Sequence, residues 1–313
     1  MRVMLAVMMT AMIILPIQAS AATGQFWDHA RYDSDGVQVN GGTIGFTTQW
    51  NLSADNNTEK THSYHVDDMP TLVEIYTATW CTNCVTTQNI MNEAIGDSDV
   101  ELIHYHRHWF EPRDPFGSNS TEERWTTTYG HAVTLNGGAP RLAPTKVVDG
   151  ERMHYGARSN SDSLMDDYTA SLSMEETVSL SGNLSLNVSQ AANTMYFEWD
   201  LSSLSIYTEA EYSLDPWILL IEEEAYFPDG SNGLEIYEHI LLEAIPLEPS
   251  GDGISSSELI LPQLWDGDDL KVAILVDWIV EKSPSQSPLP APGIVLLLSS
   301  LVAMAYVRQP RLP

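Results

Sequence analysis

The chain's only two cysteines, Cys81 and Cys84, stand in the run Trp80-Cys81-Thr82-Asn83-Cys84. Two thiols three positions apart can close a short disulfide and reopen it by exchange with another thiol. The nucleophile in that chemistry is the thiolate. A helix N-terminus stabilises one, because its first N–H groups lack partners and the helix dipole is positive there. The sequence predicts that setting. Leu72–Thr77 reads as a β-rich run, and Val85–Ile95 as a helix with Val85, Ile90, Met91 and Ile95 near one face. Cys81 is then the nucleophile and Cys84, inside the first turn, the resolving thiol. The segment Thr77–Asn89 contains no Asp or Glu that would oppose a second anion.

Two other readings of the pair stand beside this one. A static bridge would contribute only about 2 kcal/mol by closing so short a loop. A metal site lacks a second C-x-x-C, although His104, His106 and His108 alternate along Ile103–Trp109 and share a face if the strand runs that far. With the cysteines these histidines would suit copper or zinc; otherwise His104 is a core strand residue and the other two lie where the strand ends.

The elements that must position the pair follow in order. Val100–Tyr105 is a second strand and Thr121–Ala132 a helix. Thr145–Val148 and Arg152–Tyr155 form a hairpin about Asp149-Gly150, and Ser161–Leu172 is a closing helix. Arg124, Trp125 and Tyr129 are spaced as one face of a helix, for packing or for lining a groove.

This order, with W-C-x-x-C at a strand-to-helix junction, resembles thioredoxin. Val73-Glu74-Ile75-Tyr76-Thr77, the Cys pair, Tyr105-His106 with Trp109, Asp114-Pro115-Phe116 and Val147-Val148-Asp149-Gly150 resemble, more narrowly, a family of secreted thioredoxin-like proteins. The resemblance covers about Pro70–Leu172. Members usually carry Pro after the second Cys, where this chain has Val85. It implies a cis Pro144 and a substrate-binding surface of Trp80, Ala143 and Pro144. It also implies a buried acid that helps deprotonate the resolving thiol. Glu74 is the candidate proton shuttle, one residue further from the cysteines than in thioredoxins; its alternative is a strand-edge carboxylate. No cofactor beyond the Cys81–Cys84 disulfide is implied.

From residue 174 to 281 the pattern becomes all-β. Leu184-x-Leu186-x-Val188 and Met195-x-Phe197-x-Trp199 alternate, and Pro216–Ile221, Glu235–Ala244 and Leu270–Val280 are further runs. The fold class expected is therefore an α/β thioredoxin-like domain (69–173) plus an all-β sandwich domain (174–281), the latter for docking or spacing. Residues 22–68 read as a polar segment with a possible hairpin, Val37–Val39 and Thr43–Thr48 about Asn40-Gly41-Gly42.

The two ends predict the compartment. Residues 1–21 read as a signal peptide: Arg2, an apolar core, then Ala19-Ser20-Ala21 as cleavage site. Residues 282–290 form a Ser/Pro linker. Residues 291–307 carry no charge and read as a transmembrane or sorting helix, and 308–313 as a basic cytoplasmic tail. Five N-x-S/T sequons, at Asn51, Asn56, Asn119, Asn183 and Asn187, accord with an outside location in a host that glycosylates secreted proteins.

Composition narrows the function. The chain has 43 Asp+Glu against 14 Lys+Arg, a net charge of −29, so a phosphate backbone would be repelled and nucleic-acid binding is excluded. Lysine is nearly absent: Lys60, Lys146, Lys271 and Lys282 are all of it. The expected function is a membrane-anchored, extracytoplasmic thiol–disulfide oxidoreductase. Its partners would be protein thiols or disulfides in the cell envelope, with the membrane reached through the C-terminal helix. The alternatives are a non-catalytic surface binding module with a static Cys pair, and a copper-handling protein.

Overall fold

A computed structural model of the chain describes residues 26–52, 59–174, 180–249, 254–267 and 269–281. The expected signal peptide, the Ser/Pro linker, the C-terminal helix and the sequon at Asn56 lie outside the described residues. No helix among the described residues is long and apolar enough to cross a membrane.

The strands in chain order begin with β1 (Asp28–His29), β2 (Asn40–Asn51), β3 (Glu59–His65) and β4 (Thr71–Thr77). Helix α1 (Thr82–Ile95), β5 (Val100–His106) and α2 (Asn119–Trp125) follow. A π-helical turn, Thr126–Gly130, leads directly into α3 (His131–Leu135). Then come β6 (Thr145–Val148), β7 (Arg152–Tyr155) and α4 (Leu164–Leu172). Eight strands complete the described residues. They are β8 (Leu180–Ser181), β9 (Asn183–Ala191), β10 (Thr194–Asp200), β11 (Ser205–Ile206), β12 (Tyr212–Tyr226), β13 (Ile236–Pro246), β14 (Ile254–Ile260) and β15 (Asp269–Val280).

Nine of these strands form one mixed sheet, in the order β1-β7-β6-β4-β5-β13-β12-β15-β2. A second sheet, β14-β10-β9-β3, lies against part of it. The fold class expected from the sequence, an α/β thioredoxin-like domain beside a separate sandwich, is overturned by this sheet. The described residues are 46% strand and 18% helix, and β5 of the first half lies parallel to β13 of the second, with Ile240 opposite His104. The pairing is non-local, so no periodicity within either half announces it.

The strand sequences show which faces are covered. In β9 and β10 every second residue is apolar, and Leu184, Leu186, Val188, Met195, Phe197 and Trp199 turn inward. In β12 and β15 the runs Ile218–Ile221 and Val272–Val276 are apolar throughout, because both faces are buried. Ile218, Leu220, Val272, Ile274 and Val276 meet the second sheet. Leu219, Ile221, Ala273 and Leu275 meet Trp125, Tyr129 and Val133 on the other side. That helical layer also covers Leu72, Tyr76 and Ile103 of β4 and β5, so one core spans both halves.

The hairpin turn expected at Asn40–Gly42 is not formed. Asn40–Asn51 is a single strand, paired antiparallel along β15 from Asn40↔Val280 to Asn51↔Asp269. Its glycines hid it: a Cβ on Gly45 would stand 2.2 Å from the Ile274 carbonyl, so only glycine fits this close approach.

Candidate functional site

Strand β4 ends at Thr77, and the chain turns through Ala78–Trp80 into α1. Cys81 is the N-cap of α1, with extended backbone, and Cys84 lies in the first turn. The two form a disulfide. The Cys84 N–H donates to Cys81 Sγ at 3.2 Å and shares its hydrogen with the Cys81 carbonyl at 3.1 Å. No acidic residue occupies the first turn. A thiolate on Cys81 would thus find a donor, the positive end of the helix and no opposing carboxylate beside it.

Trp80 and Ala143 pack against the pair, and the Ala143–Pro144 peptide is cis. Pro144 leads into β6, where Thr145 pairs with Tyr76 of β4, so this loop reaches the pair from the β6 side. The surface inferred for Trp80, Ala143 and Pro144 is thus brought together. Arg107 lies over the Trp80 ring, 5.4 Å from its centre and within reach of a cation–π contact.

The turn before Cys81 is clamped from two directions. Asp114 accepts from the Thr79 N–H (2.8 Å) and pairs with His106 Nδ1 (2.9 Å). The Thr79 carbonyl accepts from the N–H groups of Ser231 and Asn232 and from the Tyr237 hydroxyl. Phe116 packs between His106, Phe227, Tyr237 and Trp265. The hairpin β12–β13 is thereby fastened to the cysteine turn, a contact no local sequence signal foretells.

Glu74 does not stand with the cysteines. Side chains alternate along a strand, and Ile75, not Glu74, shares the face that packs on α1. Glu74 points to the opposite core, where it accepts from the hydroxyls of Tyr105 and Tyr129 and from Arg124 (3.2 Å). Arg124 also binds Asp277 (2.7 Å), which in turn holds Arg31 (2.7 Å). These two guanidinium groups keep the Asp277 carboxyl well below the usual carboxylate range despite its burial. Arg124, Trp125 and Tyr129 are accordingly core residues.

Behind the first turns of α1 stands a buried lysine that sequence reasoning missed, Lys146. Lys146 faces α1 from β6, is 1% exposed, and donates to Thr87 Oγ1 at 2.7 Å. The Thr87 hydroxyl itself donates to the Cys84 carbonyl at 3.2 Å. Lys146 also lies 5.7 Å from the centre of the Tyr168 ring, and it forms no ion pair among the described residues. Burial alone lowers its pKa from 10.5 to about 7. Its amine thus changes charge near neutrality, held at Thr87 one helical turn beyond Cys84. The available signal was compositional: a lysine-poor chain places one of its four lysines inside an apolar β-run.

His104 and His106 line a cavity on the β5 side of β4, together with Cys84, whereas His108 is not among its lining residues. No group of three or more His, Cys, Asp or Glu among the described residues is arranged to hold a metal ion. Desolvation and the neighbouring His239 push His104 well below the ordinary histidine range, so it is neutral.

No protein-family profile matches the chain, and neither does any curated protein. Two solved structures are similar over part of it. One is protein AGR_C_4864 from Agrobacterium tumefaciens, at 16% identity and a TM-score of 0.39, covering 61% of this chain and 78% of that one. The other is HBP35 of Porphyromonas gingivalis, at 15% identity and a TM-score of 0.38, covering 72% of this chain and 80% of that one.

Proposed function

We propose that the protein is a thiol–disulfide oxidoreductase that acts on protein thiols outside the cytoplasm, through Cys81 and Cys84, with no cofactor beyond that disulfide. The observation that carries this reading is the position of Cys81 as N-cap of α1, bridged to Cys84, with an N–H already donated to its sulfur. A client thiolate attacks Cys81 Sγ and expels Cys84, or, in the other direction, Cys81 attacks a client disulfide and Cys84 resolves the mixed disulfide. Ala143, cis Pro144 and Trp80 form the surface along which the client lies. Lys146, through its neutral amine, accepts the proton that Cys84 must lose before it attacks. The resemblance of the Cys-pair segment to secreted redox proteins supports the same reading. The signal-like and membrane-helix-like ends support anchorage at the outer face of a membrane.

A second reading, a surface binding module with a static bridge, draws on one observation: both cysteines are only 5% exposed. Trapping separates the two. Cys84→Ala is expected to accumulate mixed disulfides with envelope proteins through Cys81, and Cys81→Ala to accumulate none. Absence of trapped protein with Cys84→Ala, together with no reduction of insulin disulfides and no reactivation of scrambled ribonuclease by the folded wild type, would favour the static bridge.

A further inference from the structure

The cavity beside Cys84 is not the surface assigned to protein clients. Cis Pro144 stands on the β6 side of β4, whereas this cavity opens on the β5 side, between α1 and the β12–β13 hairpin. Cys84 lines it and Cys81 does not. Its volume is about 320 Å³, within the range of small-molecule sites, which begins at roughly 300 Å³. The hairpin wall is firm, since Tyr237 and Asn232 are bonded to the cysteine turn.

The lining specifies a ligand chemistry. Leu234 and Ile236 supply apolar surface from the hairpin, and the amides of Gln88, Asn89 and Asn92 face it from α1. Glu224 and Glu238 supply negative charge, and no Lys or Arg lines the cavity. His104 adds an acceptor: its imidazole hydrogen-bonds to the Glu238 backbone, and its buried Nε2 has no partner among the described residues. Such walls repel an anionic thiol and favour one whose thiolate is balanced by an ammonium group.

We propose that this cavity binds a low-molecular-weight aminothiol, its ammonium held by Glu224 and Glu238 and its sulfur exchanging with Cys84. The inference rests on the redox reading of the pair. The aminothiol thiolate attacks Cys84 Sγ from the side away from Cys81, the new S–S bond forms, and the Cys81–Cys84 bond breaks. Cys81 leaves as a thiolate, already supplied with the Cys84 N–H and the helix N-terminus, which makes it the better leaving group. A second aminothiol thiolate attacks the ligand sulfur of the mixed disulfide, and Cys84 leaves and takes a proton from water. The protein has then gained two electrons, and two aminothiols have become one disulfide. Cys84 thus serves as a port for small thiols while Cys81 serves protein clients.

Single-cysteine variants of the full chain test this in the reverse direction. Cys81→Ala is incubated with cystamine or with the anionic bis(2-sulfonatoethyl) disulfide, and the adduct on Cys84 is followed by mass spectrometry. The cystamine adduct is expected to form about tenfold faster, a preference that Glu224→Gln with Glu238→Gln abolishes. Leu234→Trp, which narrows the cavity from its rim, is expected to slow the cystamine reaction about tenfold, the loss that filling a small site brings. An inert Cys84, or one that reacts with both reagents alike, would overturn the proposal. Should Cys81→Ala fail to fold, oxidised wild type is treated with 2-aminoethanethiol, quenched in acid and mapped: an adduct on Cys84 supports the port, and one on Cys81 alone refutes it. Selective Cys84 adducts in a protein that turns over no protein client would leave the cavity standing and remove the protein-thiol reading.

Discussion

Lys146 offers a test in which the sign of a pH effect identifies the group responsible. Burial lowers its pKa from 10.5 to about 7, so between those values the unfolded chain binds a proton that the native state does not. Stability therefore rises with pH across this window, by about 1.4 kcal/mol per pH unit. The cost of burying the ammonium is fully present below about pH 7 and gone above about 10.5, in total roughly 5 kcal/mol. Lys146→Met removes that cost and also the bond to Thr87, a loss of about 1 kcal/mol. The variant is expected to be more stable than wild type at pH 6, by up to roughly 4 kcal/mol on those two numbers. Its advantage should shrink steadily toward pH 10. Urea unfolding of both proteins, with the disulfide intact, at each pH from 6 to 10 measures the difference. The native and unfolded values of His154, about 4 and 6.5, both lie below the decisive window from pH 7 to 10, and the titration of Tyr168 is common to both proteins and cancels. A difference that stays flat from pH 7 to 10 would refute the assignment, because only a group charged in one state and neutral in the other produces the slope.

Three further outcomes are expected. In the reduced protein Cys81 should alkylate with iodoacetamide before Cys84 and show a pKa below the reference of about 8.5, read by mass spectrometry across pH; equal labelling would mean the pair is not organised for exchange. Asp277→Ala leaves Arg31 and Arg124 buried without their shared carboxylate and should cost about 3–5 kcal/mol in chemical unfolding. Because the Asp277 carboxyl is held low in the native state, its contribution is present above the usual carboxylate pKa and lost on acidification, so this deficit narrows toward low pH. Gly45→Ala forces a methyl against the Ile274 carbonyl and should destabilise the protein by about 1–3 kcal/mol, measured by the thermal midpoint; an unchanged midpoint would mean β2 is not held along β15.

Much of the local structure was legible in the residues. The strand before the cysteines, the helix after them, the Asp149-Gly150 hairpin and the alternating strands β9 and β10 all carry their signals within a few positions, because φ/ψ preference and side-chain period are local properties. The surroundings of the cysteines were legible as a juxtaposition of Trp80, Ala143 and Pro144. Tertiary structure alone decided the rest. The β5–β13 pairing merges what reads as two units into one sheet, and backbone hydrogen bonds between distant strands leave no mark on either sequence. Strand β2 was hidden because its glycines answer to a neighbour's carbonyl rather than to their own segment. The face on which a strand residue lands depends on what covers each side. That is why the carboxylate of Glu74 serves a remote core while Lys146, opposite Ile75 on the adjacent strand β6, faces α1 at Thr87. The cavity at Cys84 exists only because a hairpin some 150 residues later folds back onto the cysteine turn, as the Tyr237–Thr79 bond at a separation of 158 records.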